Sequence, residues 1–449
     1  MQLAIHPQAK DAFNRRADEI LTDVFRRPVQ RRGTTNNIDK PDFFISHTYN
    51  DGDITSIKES LITPDGETVL MHQVLKSEEI GLEEEGYRKL CILVEKVYVH
   101  QNISKHISTR QITDIAFDWL VKRVAGDIDV NFLDFTVPIL EKSITDLNVL
   151  IPIFDLSTTF QFPCANTTIT QLDSLFFDQW EKDIHLYPNV DPDARRRLIQ
   201  SYRKDLQGCA ACMIKIQAEA RRACEIALEE TESALDLLRF FASKSTMNIN
   251  LPSFLRPVGY HNIDKSLVFT IVNGQPPLWH SEFRHRFSHT VLDKEHINII
   301  YQAGFGALHE MYLRENKTDF QKDLINSLTT YSRSLLQREI SGRLIFAFTA
   351  LDSFLLKDQN ENIQQNIAER IAFTISDDAQ ERIKIRNTVI ATYGYRSRAV
   401  HHNQSIQEIE LLNQFLQYIF RFYLLMIGRN MRYKSRQDLL NEIEQAKFS

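Results

Sequence analysis

The sequence predicts a mainly α-helical protein in three parts: an N-terminal α+β domain, a central region dominated by one long helix, and a C-terminal helical bundle. Short strand-like runs mixed with helical patterns occupy residues 1–170. Apolar residues then repeat at steps of three and four over residues 191–243, and the same spacing returns from about Ile297 onward. This spacing places apolar side chains on one face of a helix. We therefore divide the chain into residues 1–170, 171–319 and 320–449.

Composition is typical of a globular protein. The chain has 449 residues, of which 43% are hydrophobic and 25% charged, and this excludes collagen-like, low-complexity and globally disordered chains. The formal net charge is −6, but residues 320–449 hold 17 Lys and Arg against 14 Asp and Glu. The acidic surplus therefore lies in the first 319 residues. The net charge does not exclude a nucleic-acid partner for the C-terminal part.

Signals for secretion and for membrane insertion are not evident in the sequence. The segment Met1–His6 lacks the charged and apolar regions of a signal peptide. The most apolar stretch, Leu411–Gly428, carries Arg421, whose charge would be costly in a bilayer, so we predict a buried core helix there. The 5 cysteines are few for this length. We predict a cytoplasmic protein with reduced thiols and no membrane partner.

Strands are predicted mainly in the N-terminal domain, whose role the sequence does not identify. Thr68–Met71 follows the turn-forming sequence Pro64–Gly66, and residues 137–162 contain several β-branched and aromatic runs. A further hairpin is predicted at Val268–Pro277, after the central helix.

One long helix is predicted over residues 191–243. Asp191 is placed to cap it, and Pro192 suits the first helical position, where its missing N–H costs nothing. An apolar stripe then runs from Ile199 to Phe241, so the helix would be about 75 Å long. We expect such a rod to bridge parts of the molecule or to form the seam of a coiled-coil dimer.

Two sets of residues have the composition of metal sites, but their contexts argue against metal binding. Cys209 and Cys212 form a CxxC inside the predicted rod with no second pair, so we interpret them as small packing residues. A histidine cluster lies further along the chain, and arginines between its members oppose a cation. The cluster consists of His280, Glu282, His285, His289 and His296, with Arg284 and Arg286 between them. We predict no metal and no cofactor.

The segment Tyr393–His402 combines two arginines with two histidines. A guanidinium offers forked, permanently charged donors to phosphate oxygens, and a neutral histidine acts as a base or an acid near neutral pH. Such a set can cleave RNA without a metal, because the substrate supplies its own nucleophile, the 2′-hydroxyl beside the scissile phosphate. We place this segment in a loop or helix start between two long helices.

Spacing alone does not decide which arginine would act together with which histidine. Arg396 and His401 are five positions apart, which is about 140° around a helix, so they converge only if the chain bends, for instance near Gly394. Arg398 and His402 are four positions apart and would share a face. Spacing alone would favour a solvated helix start rich in arginine and histidine.

Three stretches in order carry a resemblance to a known family. They are Gly342–Leu356, which ends in Ala-Leu-Asp-Ser-Phe-Leu-Leu, then Glu369–Asp378, and finally Tyr393–His401, which contains the R-x(4–6)-H spacing. They are similar to the "ALE-x-L-L", "R-x-A-x-L-L-x-D" and "Y-x-x-R-S-x-x-V-H-G" patterns of HEPN domains. Residues from about 320 to 430 therefore resemble the ApeA-like HEPN group found in bacterial defence proteins.

The resemblance implies a compact bundle of four or five helices that dimerises and brings two R-x(4–6)-H motifs to one cleft. It implies that Arg396 and His401 are catalytic, with accessory residues around them. The accessory residues are Ser397, Arg398, His402 and Asp352. Two positions depart from the family pattern. His402 replaces the glycine after the histidine, which leaves the choice of catalytic imidazole open, and Asp352 replaces a glutamate.

We therefore expect a metal-independent HEPN endoribonuclease that acts as a homodimer, as a bacterial anti-phage defence or toxin effector. The N-terminal region would sense a phage trigger or bind a partner protein and regulate the site. A basic cluster near the C-terminus would add RNA contacts. It consists of Arg429, Arg432, Lys434 and Arg436. One alternative is a non-catalytic HEPN scaffold that binds RNA or protein, and another is a subunit of a larger complex in which the rod is the working part.

Overall fold

A computed structural model describes most of the chain. It describes residue 3 and residues 5–28, 44–49, 56–62, 68–75, 78–183, 191–242, 246–259, 265–270, 278–283, 290–357, 361–402 and 408–448. The protein is mostly helical, with an α+β region at its N-terminal end, as the sequence predicts. The chain forms two compact units from alternating segments, whereas the sequence predicts three consecutive domains. Unit 1 comprises residues 1–149, 183–196 and 215–226, and unit 2 comprises residues 150–182, 197–214 and 227–449.

Unit 1 contains a five-stranded antiparallel sheet. Its strands are β1 (Val24–Pro28), β2 (Phe44–Tyr49), β3 (Ser56–Ile62), β4 (Thr68–Leu75) and β5 (Glu78–Glu83). Their order across the sheet is β1-β5-β4-β3-β2, with antiparallel neighbours throughout. Strand β4 confirms the strand predicted at Thr68–Met71, whereas the turn predicted at Pro64–Gly66 lies outside the described residues.

In the described part of positions 1–149, five helices accompany this sheet. They are α1 (Pro7–Leu21), α2 (Glu84–Tyr98), α3 (Gln101–Ser104), α4 (Thr109–Ala125) and α5 (Phe132–Ser143). Their apolar faces meet in one core, where the fully buried Trp119 packs edge-on against Phe132 with ring centroids 5.5 Å apart. The indole N–H of Trp119 donates to the carbonyl of Val130 at 2.9 Å, so its polar end is satisfied despite burial.

Short strands and one helix follow. They are β6 (Thr145–Phe154), β7 (Leu156–Thr158), β8 (Phe162–Cys164), β9 (Thr167–Gln171) and α6 (Ser174–Lys182). The strands confirm that residues 137–162 contain β-structure, although α5 occupies the first part of that stretch.

The prediction of one long helix over residues 191–243 is wrong. The stretch holds two helices and a strand, namely α7 (Pro192–Leu206), β10 (Ala210–Ala218) and α8 (Ala220–Ala242). Asp191 does cap α7 as predicted, because its carboxylate accepts the backbone N–H groups of Asp193 at 3.2 Å and Ala194 at 3.1 Å. After α7, Gly208 adopts a left-handed backbone with φ of 91°, the conformation that commonly follows a helix end.

Strand β10 also corrects the interpretation of the two cysteines. Its first residues pair antiparallel with β9, so Cys212 lies in a sheet, opposite Ile169, and not within a helix, although its thiol contacts Thr231 of α8. Later in the strand, buried Ile214 and Ala218 alternate with exposed Lys215 and Gln217, the period of two that a strand requires. The stripe at steps of three and four was therefore a coincidence across this stretch.

Strand β11 (Arg256–Pro257) completes a second sheet in the order β11-β6-β10-β9-β8. Strands β12 (Lys265–Thr270) and β13 (Leu278–Phe283) pair antiparallel, which confirms the predicted hairpin, while its turn lies outside the described residues. Strand β14 (Thr290–Leu292) pairs parallel with β7.

Helices form the rest of unit 2. They are α9 (Lys294–Ile300), a π-helical turn (Tyr301–Phe305), α10 (Gly306–Leu313), α11 (Asp319–Ser334), α12 (Ile340–Leu355), α13 (Ile363–Ile375), α14 (Ala379–His402), α15 (Ile409–Gly428) and α16 (Arg436–Phe448). Helix α11 packs on α12 and α13 packs on α14. One apolar face of α12 is fully buried, and its members are Leu344, Ala347, Leu351, Phe354 and Leu355. A large core therefore joins these helices.

Helix α15 confirms the buried helix predicted at Leu411–Gly428, since Phe415, Ile419 and Met426 are fully buried. Among the helices that the structure describes, none is long and apolar enough to cross a membrane.

A buried arginine anchors the start of α12. Arg343 is fully buried, and its Nη1 donates to the carbonyls of Asn248 at 2.8 Å and Ile249 at 2.7 Å. These carbonyl groups belong to the segment between α8 and β11. The bundle therefore depends on residues far upstream of position 320.

A second buried arginine joins α13 to the end of α12. The Nη1 and Nη2 atoms of Arg370 donate to the two oxygens of Glu361 at 2.7 and 2.8 Å, and Nη1 also donates to the carbonyl of Leu355 at 2.5 Å. The hydrogen bonds from Arg370 lower the pKa of Glu361 to about 2. This forked arrangement is a strong geometry for an arginine–carboxylate pair.

Candidate functional site

The segment Tyr393–His402 forms the C-terminal end of α14, and the prediction of a loop or helix start is wrong. The helix continues through Gly394, where the sequence allowed a bend. His401 and His402 are described only as backbone positions of its last turn. A helix C-terminus carries partial negative charge, so it favours the cationic side chains of this segment.

Because the segment is part of α14, the angles around the helix axis between its arginines and histidines are fixed. In a continuous helix, positions 396 and 401 lie about 140° apart, whereas positions 398 and 402 lie about 40° apart and share a face. Arg396 and His401 therefore do not converge through a bend within α14. A site that uses both needs a group from another element or from a second copy of the chain.

Asp352 of α12 lies next to Arg396 of α14. One turn earlier on each helix, the rings of Phe348 and Tyr393 meet edge to face with centroids 5.1 Å apart. Phe348 precedes Asp352 and Tyr393 precedes Arg396, so the two helices run parallel here. The packing that brings the two rings together therefore also brings the acid and the arginine together. The structure thus unites two residues that the sequence separates by more than forty positions.

The environment of Asp352 raises its proton affinity. Burial raises the pKa of this carboxyl group to about 6, and the positive charge of Arg396 partly offsets the rise. The Oδ1 atom of Asp352 is buried and accepts no hydrogen bond from any residue that the structure describes. A buried carboxylate without a donor is costly and needs an explanation.

Arg396 is also incompletely bound. Its Nε is buried without an acceptor, and among the residues that the structure describes the guanidinium makes no hydrogen bond and no ion pair. Among the described residues it lies near the charge of Asp352 and against the ring of Tyr393, with Cζ 5.5 Å from the ring centroid. The forked donors of this guanidinium therefore remain available to an anionic group.

Two tyrosines support the arginines, and sequence reasoning gave them no role. Arg398 is exposed and lies over the ring of Tyr395 at 4.5 Å, just as Arg396 lies over Tyr393. Each tyrosine precedes its arginine by three positions, the spacing that places two side chains on one helix face. The Y-x-Y-R-x-R order was the signal that could have identified them. Ser397 is partly buried between the two arginines.

The basic cluster predicted near the C-terminus lies between the end of α15 and the start of α16. Arg432 is exposed and pairs with Glu442 at 2.7 Å, and Lys434 is exposed. Arg436 donates to the carbonyl of Ser353, the neighbour of Asp352 in α12. Arg429 follows α15 directly and is partly buried. At least Arg436 is thus tied to the end of α12 that carries the candidate site.

The histidine cluster noted in the sequence lies largely outside the described residues. His285 and His289 lie outside the described residues, His280 is described only as a backbone position of β13, and His296 is exposed and contacts Asp293 at 2.8 Å. Within the described ranges, no group of three or more His, Cys, Asp or Glu side chains is arranged to hold a metal ion.

Comparisons of the chain with protein-family models, with curated proteins and with solved structures find no match.

Proposed function

We propose that the chain is a metal-independent endoribonuclease of the HEPN type that acts as a homodimer. The observation that carries the proposal is the guanidinium of Arg396, which lies beside the partly buried Asp352 and is bound by no acceptor among the described residues. This arrangement lies at the end of α14, within the segment that resembles the R-x(4–6)-H signature. An arginine held in place without a bound carboxylate is suited to receive a phosphate.

The reaction uses the 2′-hydroxyl of the RNA as the nucleophile. One imidazole removes the hydroxyl proton while the 2′-oxygen attacks phosphorus, and a second acid protonates the 5′-oxygen as the P–O5′ bond breaks. The products are a 2′,3′-cyclic phosphate and a 5′-hydroxyl. Arg396 stabilises the negative charge that builds up on the phosphate oxygens.

The two proton transfers call for two groups. His401 supplies one imidazole, and the second comes from His402 or from the second motif of the dimer. Because positions 396 and 401 diverge around α14, a cleft between two copies would let the arginine of one motif and the histidine of the other meet on one phosphate. Asp352 acts as a positioning residue that holds negative charge beside Arg396.

The biological role that we propose is an anti-phage defence or toxin effector. The N-terminal part would sense a phage trigger or partner protein and restrain the nuclease until then. The basic residues Arg429, Arg432, Lys434 and Arg436 would extend the RNA contact along the backbone of the substrate. This role rests on the resemblance to the defence group of HEPN domains.

The proposal is tested by incubating total RNA and defined tRNAs with the full chain in EDTA. We expect cleavage that leaves 2′,3′-cyclic phosphate ends. Arg396→Ala and His401→Ala should lower the cleavage rate at least about a hundredfold, since each removes charge stabilisation or proton transfer. Lys384→Ala removes an exposed charge from the same helix and serves as the matched control, with a wild-type rate expected.

Two results would contradict the proposal. Equal cleavage by wild type and by both site variants would assign the activity to another site or to a contaminant. Tight RNA binding without turnover, across many RNAs and candidate activators, would favour the non-catalytic scaffold. Parallel mass measurement in solution checks the expected homodimer, and His402→Ala decides between the two neighbouring imidazoles.

A further inference from the structure

An arginine-lined cleft in unit 2 has no part in the proposed nuclease. It has a volume of about 560 Å³ and lies where α8, β11 and the connection from α11 to α12 meet. It is lined by Glu232, Arg239, Arg256, Arg333, Leu336, Gln337, Arg338 and Glu339. This volume falls within the range of small-molecule sites and exceeds what a single phosphate ion would occupy.

A buried ionic network forms one wall of the cleft. Arg239 is almost fully buried, and its three donor atoms bind Asp236 at 2.6 Å, Glu232 at 3.1 Å and the carbonyl of Leu255 at 2.8 Å. Two of the three carboxylates in and under the cleft are therefore bound to the same guanidinium. The wall is fixed before any ligand arrives, which limits the entropy lost on binding.

The remaining arginines give the open side of the cleft its positive charge. Arg333 is 59% exposed, and the one ion pair that it forms with a described residue is long, with Nε 3.7 Å from Asp236, so its terminal nitrogens lie at the mouth of the cleft. The Nη2 of Arg256 donates to the carbonyl of Leu336 at 3.1 Å, which orients that guanidinium along the lining. Arg338 follows in the same connection. Among the described residues, the lining thus holds four arginines and two glutamates, Glu232 and Glu339, with Asp236 beneath them.

A helix terminus adds to this field. Helix α12 has 16 residues and begins at Ile340, directly after the lining residues, and its N-cap Glu339 makes no capping hydrogen bond through its side chain. The first N–H groups of a helix carry partial positive charge and bind phosphate oxygens well. The arginines and the helix start therefore act in the same direction.

We propose that this cleft binds a small ligand that carries two or three phosphate groups, of the nucleoside polyphosphate class. Arg333 and Arg338 contact the phosphate chain, because guanidinium groups match phosphate oxygens with two parallel hydrogen bonds. The volume leaves room for a nucleoside beside the chain. Such a ligand would tie α8 to the α11–α12 connection and stabilise the bundle that holds Arg396.

The test uses the full chain and calorimetric titration with ATP, GTP and inorganic tripolyphosphate at low ionic strength. We expect saturable binding of ATP or GTP and of tripolyphosphate. Arg333→Gln and Arg338→Gln should each weaken binding about tenfold or more, as the loss of a charge-assisted contact predicts. Lys322→Gln removes an exposed charge from the opposite end of α11 and should bind as wild type does.

Each other outcome would overturn the proposal. No saturable binding of the three probes would show that the cleft holds no polyphosphate. Binding that survives both arginine variants would place the site elsewhere, and binding that Arg396→Gln weakens as strongly would assign it to α14. Recognition of a nucleotide but not of tripolyphosphate would mean that the phosphate chain is not the bound group. Circular dichroism of each variant confirms that the fold is intact.

Discussion

The C-terminal bundle contains two acid–arginine neighbours that differ in almost every contact. Glu361 and Arg370 form a forked pair with two bonds of 2.7 and 2.8 Å, and the pKa of this acid falls to about 2. Asp352 and Arg396 lie close without an ion pair among the described residues, and burial raises the pKa of that acid to about 6. The carboxylate of Glu361 therefore receives hydrogen bonds from its arginine, whereas Oδ1 of Asp352 receives none from a described residue.

This difference indicates that Glu361 and Arg370 stabilise the fold, whereas Asp352 and Arg396 have a role other than stability. Removing one partner of a buried, hydrogen-bonded charge pair is strongly destabilising, whereas a buried carboxylate oxygen without a donor already costs stability. Proteins often carry such a cost at sites that bind a ligand. An acid beside an arginine can thus raise or lower the free energy of unfolding, according to the hydrogen bonds that the acid accepts.

The largest expected effect is the loss of the forked pair. Arg370→Ala leaves Glu361 without its partner and opens a cavity, so the free energy of unfolding should fall by about 3–5 kcal/mol. Arg396→Ala should change it by less than about 1 kcal/mol, since that guanidinium makes no hydrogen bond among the described residues. Urea denaturation at pH 7.5 measures both. Equal losses would remove the distinction between the two neighbourhoods.

Glu361→Gln should have the next largest effect and a distinct pH dependence. The lowered pKa means that ionised Glu361 stabilises the fold above about pH 4, where the carboxyl is ionised in both states. We expect a loss of about 3 kcal/mol at neutral pH. The contribution disappears as pH falls from about 4 toward the native pKa of about 2, so the gap between variant and wild type should narrow below pH 4. A constant gap in unfolding curves would contradict this.

Asp352→Asn should act in the opposite direction and more weakly. Between about pH 4 and pH 6, the native carboxyl holds its proton while the unfolded one does not, so ionisation destabilises the fold as pH rises through this interval. Removing the charge should raise the free energy of unfolding by about 1–2 kcal/mol at pH 7.5. The gain should vanish near pH 4. A destabilised variant at neutral pH would show that Asp352 is part of a stabilising pair after all.

The helical bundle could be predicted because its apolar positions keep a helical period over several turns, as Leu344, Leu351 and Leu355 do. The prediction of one long helix over residues 191–243 failed, because the alanines and cysteines around β10 fit both a helical stripe and a strand. Only Gly208 marked the break between helix and strand. The position of the candidate motif also escaped prediction. A glycine within a helix costs only about 1 kcal/mol, so α14 runs through Gly394 without a bend.

The residues of the candidate site were accessible to sequence reasoning, but their chemistry was not. Arg396 and Asp352 followed from the resemblance, one pattern at a time. That no described residue donates a hydrogen bond to Oδ1 of Asp352 depends on how α12 packs against α14, and no local pattern encodes it.

The alternating segments of the two units set an order for folding during synthesis. Unit 1 has all its residues once position 226 has left the ribosome, whereas unit 2 begins at position 150 and ends at position 449. Domains that emerge first generally fold first. Early strands such as β8 and β9 must therefore wait for the helices that bury them. Asp352 and Arg396 come together only when most of the chain has been translated, so a prematurely terminated product would lack the candidate nuclease site.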